Sequence, residues 1–159
     1  MTAYRLPALA LSLLLAFVTA ALGAMASIDA KGFYASLVQP AWAPPPWLFG
    51  PVWTLLYLMM ALALWRYWLS PARRWPGTVL YLAQLLANGL WSWLFFQWHW
   101  GLGALLEMLV LLALILATIR AFARADRLAA ALLVPYLAWV AFATALTFSL
   151  WQANGALLG

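Results

Sequence analysis

Long stretches without charge dominate the distribution of hydrophobic and polar residues along this chain. Four of them contain no Asp, Glu, Lys or Arg: 6–28, 32–65, 75–106 and 128–159. Each is longer than the roughly 20 residues that a helix needs to cross a bilayer. Their residues do not alternate as those of a membrane-spanning β-barrel do, and a helix satisfies its own backbone hydrogen bonds in lipid. We therefore predict an all-α integral membrane protein.

Turn-forming Pro, Gly and Ser residues divide these stretches into five helices. The predicted transmembrane helices are about 6–27, 47–69, 77–98, 104–123 and 128–153. They form a single five-transmembrane-helix bundle over residues 1–159, with a loop at 28–46. The composition agrees, because 69% of the residues are hydrophobic and 7% are charged, whereas a soluble domain has roughly 25% charged residues.

Basic residues collect at one end of the predicted bundle. Arg5 and the turns at 66–74 and 120–127 contain all of the arginines, and Lys31 alone lies at the other end. Because positive charge favours the cytoplasmic side, we predict a cytoplasmic N-terminus. The position of these charges at helix ends indicates a topology signal, and no nucleic-acid partner is expected.

The first predicted helix also fits another interpretation. Arg5, the apolar run 6–22 and the small residues 24–26 are typical of a cleavable secretory signal, whose removal would leave four spans. The run is longer than the usual apolar region of roughly 7 to 15 residues in such a signal. Ala16, Ala20 and Ala24 recur every four residues, as on a face that packs closely against another helix, although alanine abundance alone also produces this spacing.

The loop before the second helix combines prolines with tryptophans. Pro44, Pro45 and Pro46 lack amide donors and favour an extended backbone, which predicts a stiff segment carrying Trp42 and Trp47 over the bundle. Such a segment suits a lid over a cavity. It equally suits an aromatic belt at the membrane surface, with proline at the start of a helix.

Two of the predicted helices carry polar, aromatic and small residues along one face. In the third helix these are Gln84, Asn88, Trp91 and Phe95, and in the fifth they are Tyr136, Trp139, Ala143, Thr147 and Trp151. Spacings of three and four place such residues on one stripe, and buried amides need partners, so both stripes should face the bundle interior. The stripes suit a pocket for a planar apolar molecule, and they equally suit tight contacts between helices.

Conventional catalytic and metal chemistry finds little support. The chain has no cysteine, one histidine (His99) at a predicted helix end, and no phosphate-binding glycine loop. We expect no metal site and no axial ligand for haem iron. Glu107 is the one acid predicted within the membrane, where it is either a proton-linked site or a residue that suits the dipole at a helix start.

A series of short motifs runs along the chain everywhere except in the first predicted helix and most of the fourth. They are Pro40–Pro45, Phe49, Trp53, Tyr57, Tyr81, Gln84–Leu85, Asn88, Trp91–Ser92, Phe95–Phe96, Pro135–Trp139, Trp151 and Asn154. This set resembles the translocator protein family, which includes the tryptophan-rich sensory proteins of bacteria and the peripheral-type benzodiazepine receptor of mitochondria.

The resemblance implies a five-helix bundle, often a homodimer, in a bacterial or organellar membrane, and we expect the bacterial one. It implies binding of porphyrins, haem-related tetrapyrroles and, in animal members, cholesterol and synthetic drugs, with no required cofactor. Matched residue by residue, the implied ligand-binding positions are Tyr34, Trp42, Pro44, Pro45, Trp53, Asn88, Trp91, Trp139 and Ala143. Trp53 and Trp139 match indoles that bacterial members need to break down protoporphyrin, and they are catalytic only if such degradation occurs.

A tetrapyrrole also suits these residues on physical grounds. Each aromatic contact with a flat ring adds roughly 0.5 to 1.5 kcal/mol beyond the burial of area. The porphyrin carboxylates need donors, for which Trp42, Trp53, Asn88 and Lys31 are candidates. Three functions remain open: a receptor or sensor that regulates porphyrin levels or transport, a light- and oxygen-dependent porphyrin-degrading enzyme, and a small-molecule transporter or structural partner of other membrane proteins.

Overall fold

The computed structural model describes residues 4–159, and helices joined by short turns make up this part of the chain. The helices are α1 (Arg5–Ala26), α2 (Ala30–Ser36), α3 (Pro46–Leu69), α4 (Trp75–Ser92), α5 (Gly101–Ala123), α6 (Arg127–Ala131), α7 (Val134–Ala153) and α8 (Gly155–Leu158). A π-helical turn at Trp93–Gln97 continues α4.

Among the residues that the structure describes, five segments are long and apolar enough to cross a membrane. They are Arg5–Ala26, Pro46–Leu69, Trp75–Gln97, Gly101–Ala123 and Arg127–Ala153. The predicted all-α integral membrane bundle of five spanning helices is confirmed. The direction in which these helices cross the membrane stays a prediction from the arginine distribution.

Prolines determine where three of the long helices begin. Pro46, Pro76 and Pro135 each occupy the first or second position of their helix. The amides of a first helical turn have no partner within the helix, so proline loses nothing there, and its fixed φ angle already suits the helix. Pro135 also explains why the predicted fifth helix divides into α6 and α7, because its ring has no N–H and crowds the preceding turn.

Two further segments differ from the sequence prediction. Residues 28–46, predicted as a loop, contain the seven-residue helix α2. Gly101 and Gly103, predicted in a turn, lie in the first turn of α5. A side chain at Gly101 would overlap Trp151, and one at Gly103 would overlap the indole of Trp100. These glycines therefore permit close packing at the start of a helix rather than a change of chain direction.

Aromatic rings fill the bundle near the end where α3 and α5 finish. The Tyr67 and Phe122 rings are nearly parallel with centroids 4.0 Å apart, and Tyr81 stacks on the other side of Phe122 at 5.9 Å. All three side chains are fully buried. This half of the bundle is therefore solid, and any large cavity has to lie in the opposite half.

Asp126 links the turn before α6 to α3 at this solid end of the bundle. Its carboxylate accepts hydrogen bonds from the Ala129 amide at 3.0 Å and from the Arg66 guanidinium at 2.8 Å. Burial by itself would raise the pKa of Asp126, but the bond from Ala129 and the pairing with Arg66 lower it below its ordinary value. Asp126 is thus the N-cap of α6 and an ionic link from α6 to α3.

Candidate ligand-binding pocket

A cavity of about 570 Å³ lies in the half of the bundle where α1 and α4 end and α3 begins. Its volume falls in the range of about 300 to 1,000 Å³ that is typical of sites for small molecules. The wall consists of Phe17, Ala20, Gly23, Ala24, Ser27, Ala30, Lys31, Tyr34, Pro46, Trp47, Phe49, Gly50, Trp53, Thr54, Tyr57, Asn88, Trp91, Ser92, Phe95, Phe96, Trp139, Ala143, Leu146, Thr147 and Leu150.

Ten of the 25 wall residues are aromatic, and the tryptophans among them come from α3, α4 and α7. Trp53 of α3 lies against Tyr57 with ring centroids 5.5 Å apart, and Trp91 of α4 stacks on Phe95 at 5.4 Å. Trp139 of α7 contacts Phe49 of α3 edge to face at 6.0 Å. Each indole is thus held in place by another ring. The cavity therefore has walls whose orientation is fixed before a ligand arrives.

Small residues leave the space between these rings. Ala20 and Gly23 of α1 and Ala143 of α7 all border the cavity. A Cβ atom at Gly23 would lie 3.3 Å from the Ser92 hydroxyl, so α1 approaches α4 closely at this level. Bulky rings on α3, α4 and α7, facing small residues on α1 and α7, produce a slot rather than a closely packed core.

Asn88 and Tyr57 form the floor of the cavity, and Tyr136 lies behind them outside the wall. The Tyr57 hydroxyl donates to Asn88 Oδ1, and Asn88 Nδ2 donates to the Tyr136 hydroxyl at 3.1 Å. All three side chains are buried. Because these residues belong to α3, α4 and α7, the network ties three helices together beneath the pocket and fixes the orientation of the amide.

Helix α2 forms the roof. The Tyr34 hydroxyl donates to the Pro44 carbonyl at 3.2 Å, and the Tyr34 ring contacts Phe49 edge to face at 5.6 Å. Burial raises the pKa of Tyr34 above its ordinary value. Lys31, one turn earlier, is exposed at the rim and is the single basic residue among the wall residues that the structure describes.

The structure brings together most, but not all, of the predicted ligand-binding residues. The ones that border the cavity are Tyr34, Trp53, Asn88, Trp91, Trp139 and Ala143. Trp42 lies outside the wall, half-exposed, with its ring edge against Phe142 at 5.7 Å. Pro44 and Pro45 also lie outside it, where Pro44 supports Tyr34 and Pro45 precedes the first residue of α3. The proline segment therefore holds the roof in place, and α2 is the roof itself.

Sequence reasoning missed the contribution of α1. Ala20 and Ala24 border the cavity together with Phe17, Gly23 and Ser27. The signal was present in the four-residue spacing of small residues, which we interpreted as a face for helix packing. Small residues permit both close contact and an adjacent void, so their spacing alone does not distinguish the two.

Two indole donors of the wall have no hydrogen-bond partner. The Nε1 atoms of Trp91 and Trp139 are buried and unpaired within the described residues. A buried indole N–H usually has an acceptor. The two side chains lie on α4 and α7 and border the cavity with other atoms of their rings. The arrangement suits a flat, largely apolar molecule with a few acceptor groups.

Neither the single histidine nor an acidic cluster forms part of the cavity wall. His99 lies two residues after the π-helical turn, has a positive φ of 49° and stacks on Phe33 with centroids 4.0 Å apart. Within residues 4–159, no group of three or more His, Asp or Glu side chains lies close enough to hold a metal ion. The polar groups of the cavity wall are therefore indole, phenol, hydroxyl and amide groups, with one ammonium at the rim.

The chain is similar to known proteins over most of its length. The model of the TspO/MBR family matches residues 9–152. A tryptophan-rich protein TspO of Chlorobaculum tepidum is 43% identical over 129 residues, which cover 79% of this chain and 81% of that protein. The human translocator protein is 38% identical over 129 residues, covering 77% and 75% of the two chains. A tryptophan-rich sensory protein of Cereibacter sphaeroides is 38% identical over 124 residues, covering 77% of each chain.

Proposed function

Because the chain belongs to the TspO/MBR family, we propose that its cavity binds a tetrapyrrole such as protoporphyrin IX or a haem-related pigment. In this proposal the protein is a membrane receptor or sensor that regulates porphyrin levels or transport, in a bacterial membrane. The observation that supports it most directly is the meeting of Trp53, Trp91 and Trp139 around one slot beneath α2.

The aromatic wall supplies enough attraction for a flat ring. Each ring contact adds roughly 0.5 to 1.5 kcal/mol beyond the burial of apolar area. Three indoles therefore contribute about 1.5 to 4.5 kcal/mol in addition to the hydrophobic term. A micromolar complex corresponds to about 8.2 kcal/mol of binding free energy, and burial of a large planar ligand supplies the remainder.

The polar groups favour one orientation of such a ligand. Lys31 lies exposed at the rim, and the Asn88 amide on the floor is already bonded to two tyrosines. A carboxylate costs least to place where it stays partly hydrated and close to a cation. The propionate groups are therefore proposed to lie towards Lys31, with the macrocycle between Trp53, Trp91 and Trp139.

Filling the slot provides the test. Ala143→Phe places a ring in the cavity, whereas Ala145→Phe changes an exposed position on the same helix and is the matched control. Quenching of tryptophan fluorescence by protoporphyrin IX should be saturable for wild type and for Ala145→Phe, and at least tenfold weaker in affinity for Ala143→Phe. Equal affinities for all three proteins would contradict binding in this cavity.

A second function, light-dependent degradation of the bound porphyrin, is favoured by one specific observation. Trp53 and Trp139, the two indoles implied in such degradation, both border the same cavity. Under illumination in air, loss of porphyrin that continues beyond one equivalent per protein would support an enzyme. Loss at the rate of a blank that contains only detergent would exclude it and leave the binding function.

A further inference from the structure

Asn154, at the end of α7, joins that helix to residues 28–46, which we call the covering segment of the pocket. Its Oδ1 accepts a hydrogen bond from the Val38 amide at 2.8 Å, and its Nδ2 donates to the Val38 carbonyl at 2.9 Å. The second N–H of Nδ2 donates to the Leu150 carbonyl at 2.8 Å. Asn154 is 7% exposed, so these bonds face little competition from water. The Asn154 side chain thus bonds to both the N–H and the C=O of Val38, in the way that a neighbouring β-strand bonds to a residue of a sheet.

This clamp reaches the pocket through α2. Val38 lies two residues beyond the end of α2, and Leu37 between them is buried in an apolar cluster that also contains Leu150 and Leu158. Helix α2 supplies Lys31 and Tyr34 to the cavity wall, whereas Asn154 does not border the cavity. Asn154 therefore fixes the roof without a contact to any ligand in the pocket.

The other hydrogen bonds of the roof are local. The Tyr34 hydroxyl bonds to Pro44, and the Gln39 amide bonds to the Tyr34 carbonyl, so both bonds stay within the covering segment. In the part of the chain that the structure describes, the two bonds to Val38 are the hydrogen bonds that join this segment to a helix distant in sequence. Its remaining attachments to the bundle are contacts between apolar and aromatic side chains, which have little directional preference.

We propose that Asn154 is a positioning residue that holds α2 closed over the pocket and thereby limits the rate at which a ligand enters and leaves. The claim about ligand exchange rests on the proposed function, whereas the clamp on α2 does not. The amide makes two hydrogen bonds to Val38, and a tenfold change in a rate corresponds to about 1.4 kcal/mol, which is within what two ordinary hydrogen bonds contribute. Removal of the amide is therefore expected to accelerate ligand release roughly tenfold or more.

The absence of cysteine from the chain allows a clean measurement of the roof. A nitroxide on Ala41→Cys, in the exposed turn after Val38, reports the mobility of the covering segment by its electron paramagnetic resonance spectrum. The spectrum and the rate of protoporphyrin IX dissociation, from stopped-flow recovery of fluorescence, are compared in wild type, Asn154→Ala and Gln152→Ala. Gln152 is an exposed amide on the same turn and is the matched control.

The proposal expects higher nitroxide mobility and roughly tenfold faster dissociation in Asn154→Ala, with neither change in Gln152→Ala. Asn154→Asp retains the acceptor for the Val38 amide but sets a carboxylate oxygen against the carbonyls of Val38 and Leu150, so it should raise nitroxide mobility at least as much as Asn154→Ala, and it takes the place of that variant if Asn154→Ala does not fold. Unchanged mobility overturns the clamp. Higher mobility with unchanged dissociation overturns the claim that the clamp limits exchange. If wild type does not bind protoporphyrin IX, the proposed function and the exchange claim both fail, and nitroxide mobility still decides the clamp.

Discussion

Removal of the Asn88 amide should destabilise the bundle mainly by leaving its two tyrosine partners unpaired. In Asn88→Leu the hydroxyls of Tyr57 and Tyr136 lose their bonds to the amide inside an apolar core. A buried polar group that loses its partner costs about 1 to 3 kcal/mol. Tyr57 borders the cavity, where water can replace the amide, whereas Tyr136 is fully buried and does not border it. We therefore assign about 1 kcal/mol to Tyr57 and up to about 3 kcal/mol to Tyr136, an expected loss of about 2 to 4 kcal/mol.

The same reasoning predicts that further removal of polar groups restores stability. Replacing every partner of a buried bond by apolar groups of similar shape can be nearly neutral. Tyr136→Phe in the Asn88→Leu background should therefore recover most of the loss, and Tyr57→Phe should recover little. The free energy of unfolding is measured by titration with sodium dodecyl sulfate in mixed micelles, followed by circular dichroism. The unpaired tyrosine hydroxyls would not be the source of the instability if the double variants showed additive losses of unfolding free energy, or if Tyr136→Phe and Tyr57→Phe restored it equally.

Three further predictions concern the tryptophans of the cavity wall, Asp126 at the solid end of the bundle, and the packing of Gly101 against Trp151. Trp53→Leu and Trp139→Leu, which remove the ring and keep an apolar side chain, should each weaken protoporphyrin IX binding about two- to tenfold in a fluorescence titration, the size of one aromatic contact, and unchanged affinity in both would be inconsistent with stacking. Asp126→Ala should cost about 1 kcal/mol through the lost N-cap, and Asp126→Asn less, because asparagine also caps. The folded-state pKa of Asp126 is lowered, so its charge stabilises the fold above its ordinary pKa and ceases to do so as pH falls through the lowered value. The difference in melting temperature between wild type and Asp126→Asn should accordingly shrink as the pH falls through the lowered pKa of Asp126 and vanish below it, and a constant difference would contradict this assignment. Gly101→Ala should cost about 1 to 3 kcal/mol of stability in a thermal melt, because the added methyl group overlaps the Trp151 indole. Gly32→Ala is the control and should be neutral, because its methyl group meets open space. Equal melting temperatures of the two variants would rule out the contact between Gly101 and Trp151.

The spanning helices were predictable because the bilayer imposes a strong and simple constraint. A run of about 20 residues without charge has few alternatives to a spanning helix, and proline marks its start. Helix α2 gave no comparable signal, since its seven residues span two turns and are too few to show a clear period. The sequence consequently indicated a lid over 28–46 but assigned the covering role to the prolines rather than to α2.

The cavity itself was only partly predictable. The stripe through Asn88 and Trp91 identified an inward face, because amides are costly to expose to lipid. Trp42 carries the same side chain but lies outside the wall, since its position depends on how the segment after α2 folds back. The bond between Asn154 and Val38 joins residues 116 positions apart and follows no local pattern. Long-range contacts of this kind require the assembled bundle.

The most direct test of a tetrapyrrole site in this cavity is a titration of wild type with protoporphyrin IX, haem, cholesterol and an isoquinoline ligand in one detergent. We predict saturable binding with a tetrapyrrole as the tightest ligand, and displacement of that tetrapyrrole by the isoquinoline if both occupy the same slot. Tighter binding of cholesterol than of either tetrapyrrole, or linear quenching that never saturates, would contradict a tetrapyrrole site between the indoles.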